Sequence, residues 1–136
     1  MDLISVHMER DVAVRATVRG HEVRMDMRGH PRFADAGPSP VELFVMAIGG
    51  CIGMHVALFC EQMSLSPAGL RVDLAFTLAD ENGRKRVSAV YADVEAPGIP
   101  TELLPAAERS ARFSILPNSF SKAPDLDIEV RTGSGQ

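Results

Sequence analysis

Ile4, Val6 and Met8 alternate with polar neighbours, and Val12, Val14, Ala16 and Val18 do the same. This is the period-two spacing of strands with one buried face. Arg19-Gly20-His21 turns the chain into Val23, Met25 and Met27, so the N-terminal part predicts an antiparallel meander. The alternation stops at Arg28. From Arg28 to Pro38 the chain has Gly and Pro at both ends and no period, which predicts a loop. Ser39-Pro40-Val41-Glu42 then reads as a capping box: Ser39 at the N-cap, Pro40 at N1 where its missing N–H costs nothing, and Glu42 reaching back to the cap. A long apolar helix follows, stopped near Met63 by Ser64, Ser66 and Pro67. Gly49-Gly50 precedes Cys51 and predicts a weak or kinked point in it.

Val72, Leu74, Phe76 and Leu78 alternate along a further strand. Asn82-Gly83 supplies a tight type I′ or similar turn, and Arg86 to Val94 returns as the partner strand. A shorter helix is expected from Thr101 to Phe113, with Pro105 in its first turn and Leu104, Ala107, Ala111 and Ser114 near one face. Leu126 to Arg131 reads as a closing strand, and Thr132 to Gln136 as a frayed tail. Strands, helix, hairpin, helix and strand in that order, without repeat or linker, predict an α+β fold in which residues 1–136 form one domain.

The run from Leu43 to Cys60 carries no formal charge over 18 residues, long enough to span a bilayer. Its flanks are Glu42 and Glu61 with no Lys or Arg, it contains His55, and it lies among strands that need a cover. It is therefore read as a buried helix, not a membrane one. One sheet covers only one flank of a helix, so a second subunit must cover the rest, and an intimate homo-oligomer is expected. The net charge of −4 and dispersed arginines exclude a dedicated nucleic-acid binder. The start, Met1-Asp2-Leu3, lacks a basic and apolar leader, which predicts cytoplasmic residence with reduced thiols.

Few residues offer chemistry. If the glycine pair interrupts the helix, Cys51 stands at a helix N-terminus, where free N–H groups and the dipole favour a thiolate. His55, one turn on, could pair with that sulfur. The bland alternative makes both ordinary core residues. Cys60 is nine residues beyond Cys51, roughly 13 Å along a straight helix, too far for a disulfide. Glu42 is a possible catalytic carboxylate that capping already explains. Arg28, His30 and Arg32 form a small basic loop that is either a solvated connection or a stabiliser of an anion. The four histidines are dispersed and no C-x-x-C or H-E-x-x-H occurs, so neither a metal nor another cofactor is expected. Gly49-Gly50 follows helix, not strand, and no phosphate cradle is read there.

Gly37-Pro38-Ser39-Pro40-Val41-Glu42-Leu43, then six residues and Gly49-Gly50-Cys51, resembles the signature of the OsmC/Ohr family of thiol peroxidases, particularly its OsmC-like branch. The resemblance extends over nearly the whole chain. It implies an intertwined homodimer in which antiparallel sheets pack around two long central helices. It also implies that Cys51 is the peroxidatic cysteine, attacking an organic hydroperoxide or hydrogen peroxide to become a sulfenic acid. Family members carry a second cysteine that closes a disulfide with it. Aligned on Asn118 and Pro124, that position falls here on Ser114, or on Ile115 one residue later. The family's activating arginine has no matching position, Arg28 and Arg32 being its nearest neighbours in sequence. The acidic residue of the Ohr-like branch falls on Val41, one before Glu42.

The resemblance thus implies a one-cysteine, thiol-dependent peroxidase in oxidative-stress defence, served by an external thiol reductant. A binding protein that keeps the same dimer around a small hydrophobic or acyl ligand is the alternative. A Cys51-His55 acyl-transfer nucleophile is a third reading, without an identified orienting group or oxyanion hole.

Overall fold

The computed structural model describes residues 3–9 and 13–133. It begins with three short strands, β1 (Ser5–Met8), β2 (Val14–Val18) and β3 (His21–Met25), paired antiparallel in that order. Val12 lies outside the described residues, and Met27 falls in the loop beyond β3. The β2–β3 turn forms because Arg19 and Gly20 both take positive φ, 49° and 82°. This is the type I′ geometry that matches strand twist. Register places Val6, Ala16 and Val23 in one row and Met8, Val14 and Met25 in another on the same face. His7, Arg15 and Arg24 take the opposite face.

Helix α1 (Pro40–Gln62) starts where the capping box requires. The Ser39 side chain accepts the Glu42 N–H at 3.1 Å, and the Ser39 N–H donates to Glu42 Oε1 at 2.9 Å. Its C-terminus closes without glycine. Ser64 takes φ 56°, its N–H bonds the Glu61 carbonyl, and the Leu65 N–H bonds the Cys60 carbonyl at 2.7 Å, the two bonds of a Schellman motif.

The helix is uninterrupted at Gly49-Gly50, so the break that would put Cys51 at a helix N-terminus is not formed. Gly49 is glycine for a packing reason: any Cβ there would collide with the Leu74 side chain. Gly50 faces open space. Gly49 thus lets a strand approach a helix that runs on without a break.

The hairpin forms as expected from β4 (Arg71–Glu81) and β5 (Arg84–Glu95), with Asn82 and Gly83 both at positive φ. A 3-10 turn at Thr101–Leu103 leads into α2 (Leu104–Arg112), with Pro105 in its first turn, and α3 (Ile115–Asn118) follows. The expected helix from Thr101 to Phe113 is therefore split at its start. The core lies between these elements: Ile48, Ile52, Val56 and Cys60 of α1 pack with Ile99, Ala107 and Ala111.

Leu126 to Arg131 has no regular structure and pairs with no strand among the described residues, so the predicted closing strand is not formed. A strand needs a neighbour for its backbone groups, and the chain offers it none at this place. Of the expected frayed tail, residues 134–136 lie outside the described residues. The order and antiparallel pairing otherwise give the expected α+β class.

Candidate active site

Cys51 sits in the middle of α1, half-buried, as a free thiol. Because the helix continues through Gly49-Gly50, Cys51 does not stand at a helix N-terminus and gains no unpaired amide there. His55 lies one turn on, and its Nδ1 bonds the Cys51 carbonyl oxygen at 2.8 Å. The carbonyl can only accept, so Nδ1 carries the proton. That nitrogen is thus spent on the backbone of Cys51 and not on its sulfur.

Glu42 stands at the start of the same helix, in its first turn. The Glu42 carboxyl is held below its usual range, chiefly by the Ser39 backbone N–H, then by the Ser39 hydroxyl, with a smaller contribution from the Arg28 guanidinium. At 1.5 Å rise per residue, Glu42 is about 13 Å from Cys51 along the axis and about half a turn out of phase. One chain therefore cannot bring its own Glu42 onto its own Cys51. The Arg32 backbone N–H donates to His30 Nδ1 at 3.1 Å, and the His30 ring leans on Phe33 with centroids 5.3 Å apart.

The base of this loop is Asp26, which sequence reasoning passed over. It is 4 % exposed, and with Ser114 it makes up the buried polar side chains among the described residues. Oδ1 accepts the Met27 N–H at 2.8 Å and Oδ2 the Ala36 N–H at 3.0 Å. The Ala36 and Met27 bonds hold its carboxyl below the usual range against a smaller opposing effect of burial. Backbone bonds from Asp26 to Pro38 and from Asp35 to Met27 close the same loop. The available signal was an acid between Met25 and Met27, at a strand end entering a Gly- and Pro-containing loop.

Ser114 occupies the joint between α2 and α3 and is 1 % exposed. Its hydroxyl donates to the Ala111 carbonyl at 2.6 Å, so it is a satisfied structural group. Cys60 is also 1 % exposed and belongs to the core.

Beside Cys51 runs an open groove of about 660 Å³, floored by Ile48, Ile52 and Val56 of α1 and walled by β5 and α2. Cys51 does not line it, yet stands about 60° around the helix from Ile48. On its other flank the helix carries an uncovered apolar strip: Phe44 is 44 % exposed, Leu58 50 % and Met54 71 %. The Phe44 ring stacks on Phe120 at 6.2 Å. Among the described residues no group of three or more His, Cys, Asp and Glu side chains is placed to hold a metal.

The family model described as OsmC-like protein matches residues 33–129, which contain Cys51, Glu42 and Ser114. No curated protein matches the chain. Solved structures resemble it over most of its length. A protein of Psychrobacter arcticus assigned to the osmotic stress induced and detoxification response superposes with a TM-score of 0.78 at 16 % identity, covering 88 % of both chains. The organic hydroperoxide resistance protein OsmC of Legionella pneumophila gives 0.69 at 14 % identity, covering 90 % of both. The organic hydroperoxide resistance protein OhrB of Bacillus subtilis gives 0.63 at 14 % identity, over 90 % of this chain and 92 % of that one. At such identities the likeness shows the shared fold.

Proposed function

Since the chain belongs to the OsmC-like protein family, we propose that it is a homodimeric thiol peroxidase that uses one cysteine, Cys51, to reduce organic hydroperoxides or hydrogen peroxide. The observation that carries this reading is a half-buried free thiol on a largely apolar helix, with a serine in place of the disulfide partner. Two structurally similar proteins are named for organic hydroperoxide resistance.

The chemistry balances with an external thiol. The Cys51 thiolate attacks one peroxide oxygen, the O–O bond breaks, and the alkoxide leaves and takes a proton to become an alcohol or water. Sulfur is oxidised to the sulfenic acid. Ser114 cannot condense with it, so an external thiol forms a mixed disulfide and releases water, and a second thiol then regenerates Cys51. Such reductants are abundant in a reducing cytoplasm, where we place the protein.

A second copy supplies what one chain lacks. The apolar strip of α1 with Phe44, Met54 and Leu58 exposed is the face that α1 of a second copy covers in this reading.

Treatment with cumene hydroperoxide followed by dimedone is expected to add dimedone at Cys51, with no adduct in Cys51→Ser. Equal labelling of the variant, or none in the native protein, overturns the proposal. The groove of about 660 Å³ favours a second reading, a dimer binding a small apolar or acyl ligand without chemistry. A thermal shift with fatty acids and no peroxide-dependent mass change at Cys51 would select it.

A further inference from the structure

The tip of the β4–β5 hairpin has no part in the chemistry above, yet it holds a reactive pair. Asn82 is followed by Gly83, which carries no Cβ to hinder attack by its backbone nitrogen on the Asn82 side-chain amide. Both residues are exposed, at φ 58° and 80°. Glu81 and Arg84 form the last pair of the ladder, so the Gly83 N–H lies inside the turn and has no strand partner. Asp80 takes it instead: Oδ1 accepts the Gly83 N–H at 2.9 Å.

Cyclisation needs that same nitrogen. It bonds to Asn82 Cγ and gives up its proton, the Cγ–Nδ2 bond breaks, and the proton leaves with the nitrogen as ammonia. Water then opens the cyclic imide at either carbonyl, which gives aspartate or isoaspartate at position 82. Two features of the folded tip oppose the first step. The Asp80 carboxylate holds the N–H, and its negative charge disfavours the deprotonated amide. Ring closure also requires the Asn82 backbone to rotate out of its left-handed conformation, which the paired strands on either side resist.

We propose that Asn82-Gly83 is a latent deamidation site with Asp80 as its latch: the site stays closed while Asp80 holds the Gly83 N–H and opens to hydrolysis when the tip frays. Residues 80–86 are all exposed, so the tip opens at lower cost than the end of the hairpin that packs on α1 through Val72 and Leu74. The product adds a negative charge beside Glu81. Its isoaspartate form puts an extra methylene into the main chain, which a two-residue turn in this register does not accommodate.

The test incubates native protein, Asp80→Ala and Asp80→Asn at mildly alkaline pH, each folded and each unfolded in guanidinium chloride. Trypsin cleavage after Arg71 and Arg84 isolates residues 72–84, in which Asn82 is the one side-chain amide, and mass spectrometry follows its conversion. Native protein should convert at least about tenfold more slowly folded than unfolded. Folded Asp80→Ala should convert about tenfold faster than folded native protein, and at the native rate when unfolded, because only the turn brings Asp80 to Gly83. Asp80→Asn keeps an acceptor oxygen without the charge and should fall between the two. Hydrogen exchange at the Gly83 amide, read by NMR, should rise about tenfold in Asp80→Ala at an unchanged far-UV spectrum. Equal rates for folded and unfolded native protein overturn the proposal. So does Asp80→Ala that converts as slowly as native protein while its Gly83 amide exchanges faster. An effect of the substitution that persists in the unfolded chain belongs to local sequence and overturns the latch as well. If Asp80→Ala does not fold, Asp80→Asn decides, and a rate at or below the native one overturns the latch.

Discussion

Ser39 and Glu42 both spend their polar atoms on the first turn of α1, and this decides how each responds to change. Ser39→Ala removes the acceptor for the Glu42 N–H and should lower stability by about 1 kcal/mol, read from urea denaturation. Glu42 and Asp26 both have carboxyl groups held below their usual range by N–H donors. A carboxylate whose folded pKa is depressed contributes stability that is fully present above the unfolded value, about 4. That contribution is lost as pH falls through the lower folded value. The melting temperature is therefore expected to drop on acidification below about pH 4, and the drop should be shallower in Asp26→Asn, which has no proton to take up. At Cys51 the local surroundings offer no cation within the chain's own helix.

Helix α1 is held at both ends by bonds a sequence can encode and along its length by packing that it cannot. Ser64 occupies the left-handed position of the C-terminal cap at φ 56°, where a side chain costs energy and glycine does not. Ser64→Gly should raise stability by about 0.5–1 kcal/mol, seen as a higher urea midpoint at unchanged slope. Gly49 poses the opposite case. Alanine is the better helix former by about 1 kcal/mol, yet its methyl would enter the space of the Leu74 side chain. Gly49→Ala is expected to destabilise by about 1 kcal/mol or more, and Leu74→Ala should offset part of that loss in a double-mutant cycle. Additive effects would mean that the helix and β4 part at Gly49 without cost.

At the scale of the whole molecule, one chain leaves three apolar surfaces without cover. Among the described residues they are the strip of α1, the face of the β1–β3 sheet with Val6 and Met8 each 57 % exposed, and the segment with Leu126 at 83 %, Ile128 at 73 % and Val130 at 90 %. A three-stranded sheet needs something packed on its apolar face to persist in water. A patch of this extent is typical of an interface. Two copies related by a two-fold axis can cover these surfaces reciprocally. Sedimentation velocity should accordingly give a dimer mass, and thermal stability should rise with protein concentration. Leu58→Lys, on the exposed strip, is expected to weaken association at least about tenfold, since it places a charge in the contact. A monomer of unchanged stability at all concentrations would contradict the proposed assembly.

Local rules were enough for the capping box at Ser39, the type I′ turns at Gly20 and Gly83, the hairpin from Arg71 to Glu95, and the stop after Met63. Each depends on interactions within a few residues, so each is written in the order of the side chains. The motif from Gly37 to Cys51 was equally legible, and the family model over residues 33–129 agrees with the resemblance it carries. Tertiary contact alone decided the rest. The glycine pair reads as a kink until Leu74, 25 residues away, is seen to fill the space beside Gly49. Asp26 reads as a surface acid until the chain returns its Ala36 amide to it. Leu126 to Arg131 has the alternation of a strand, but alternation states only which side chains share a face. Whether the backbone finds a partner depends on a neighbour that the segment does not encode. The physical reason is one of range: propensity, capping and turn geometry act over a few residues, whereas burial and pairing depend on parts of the chain brought together only by folding.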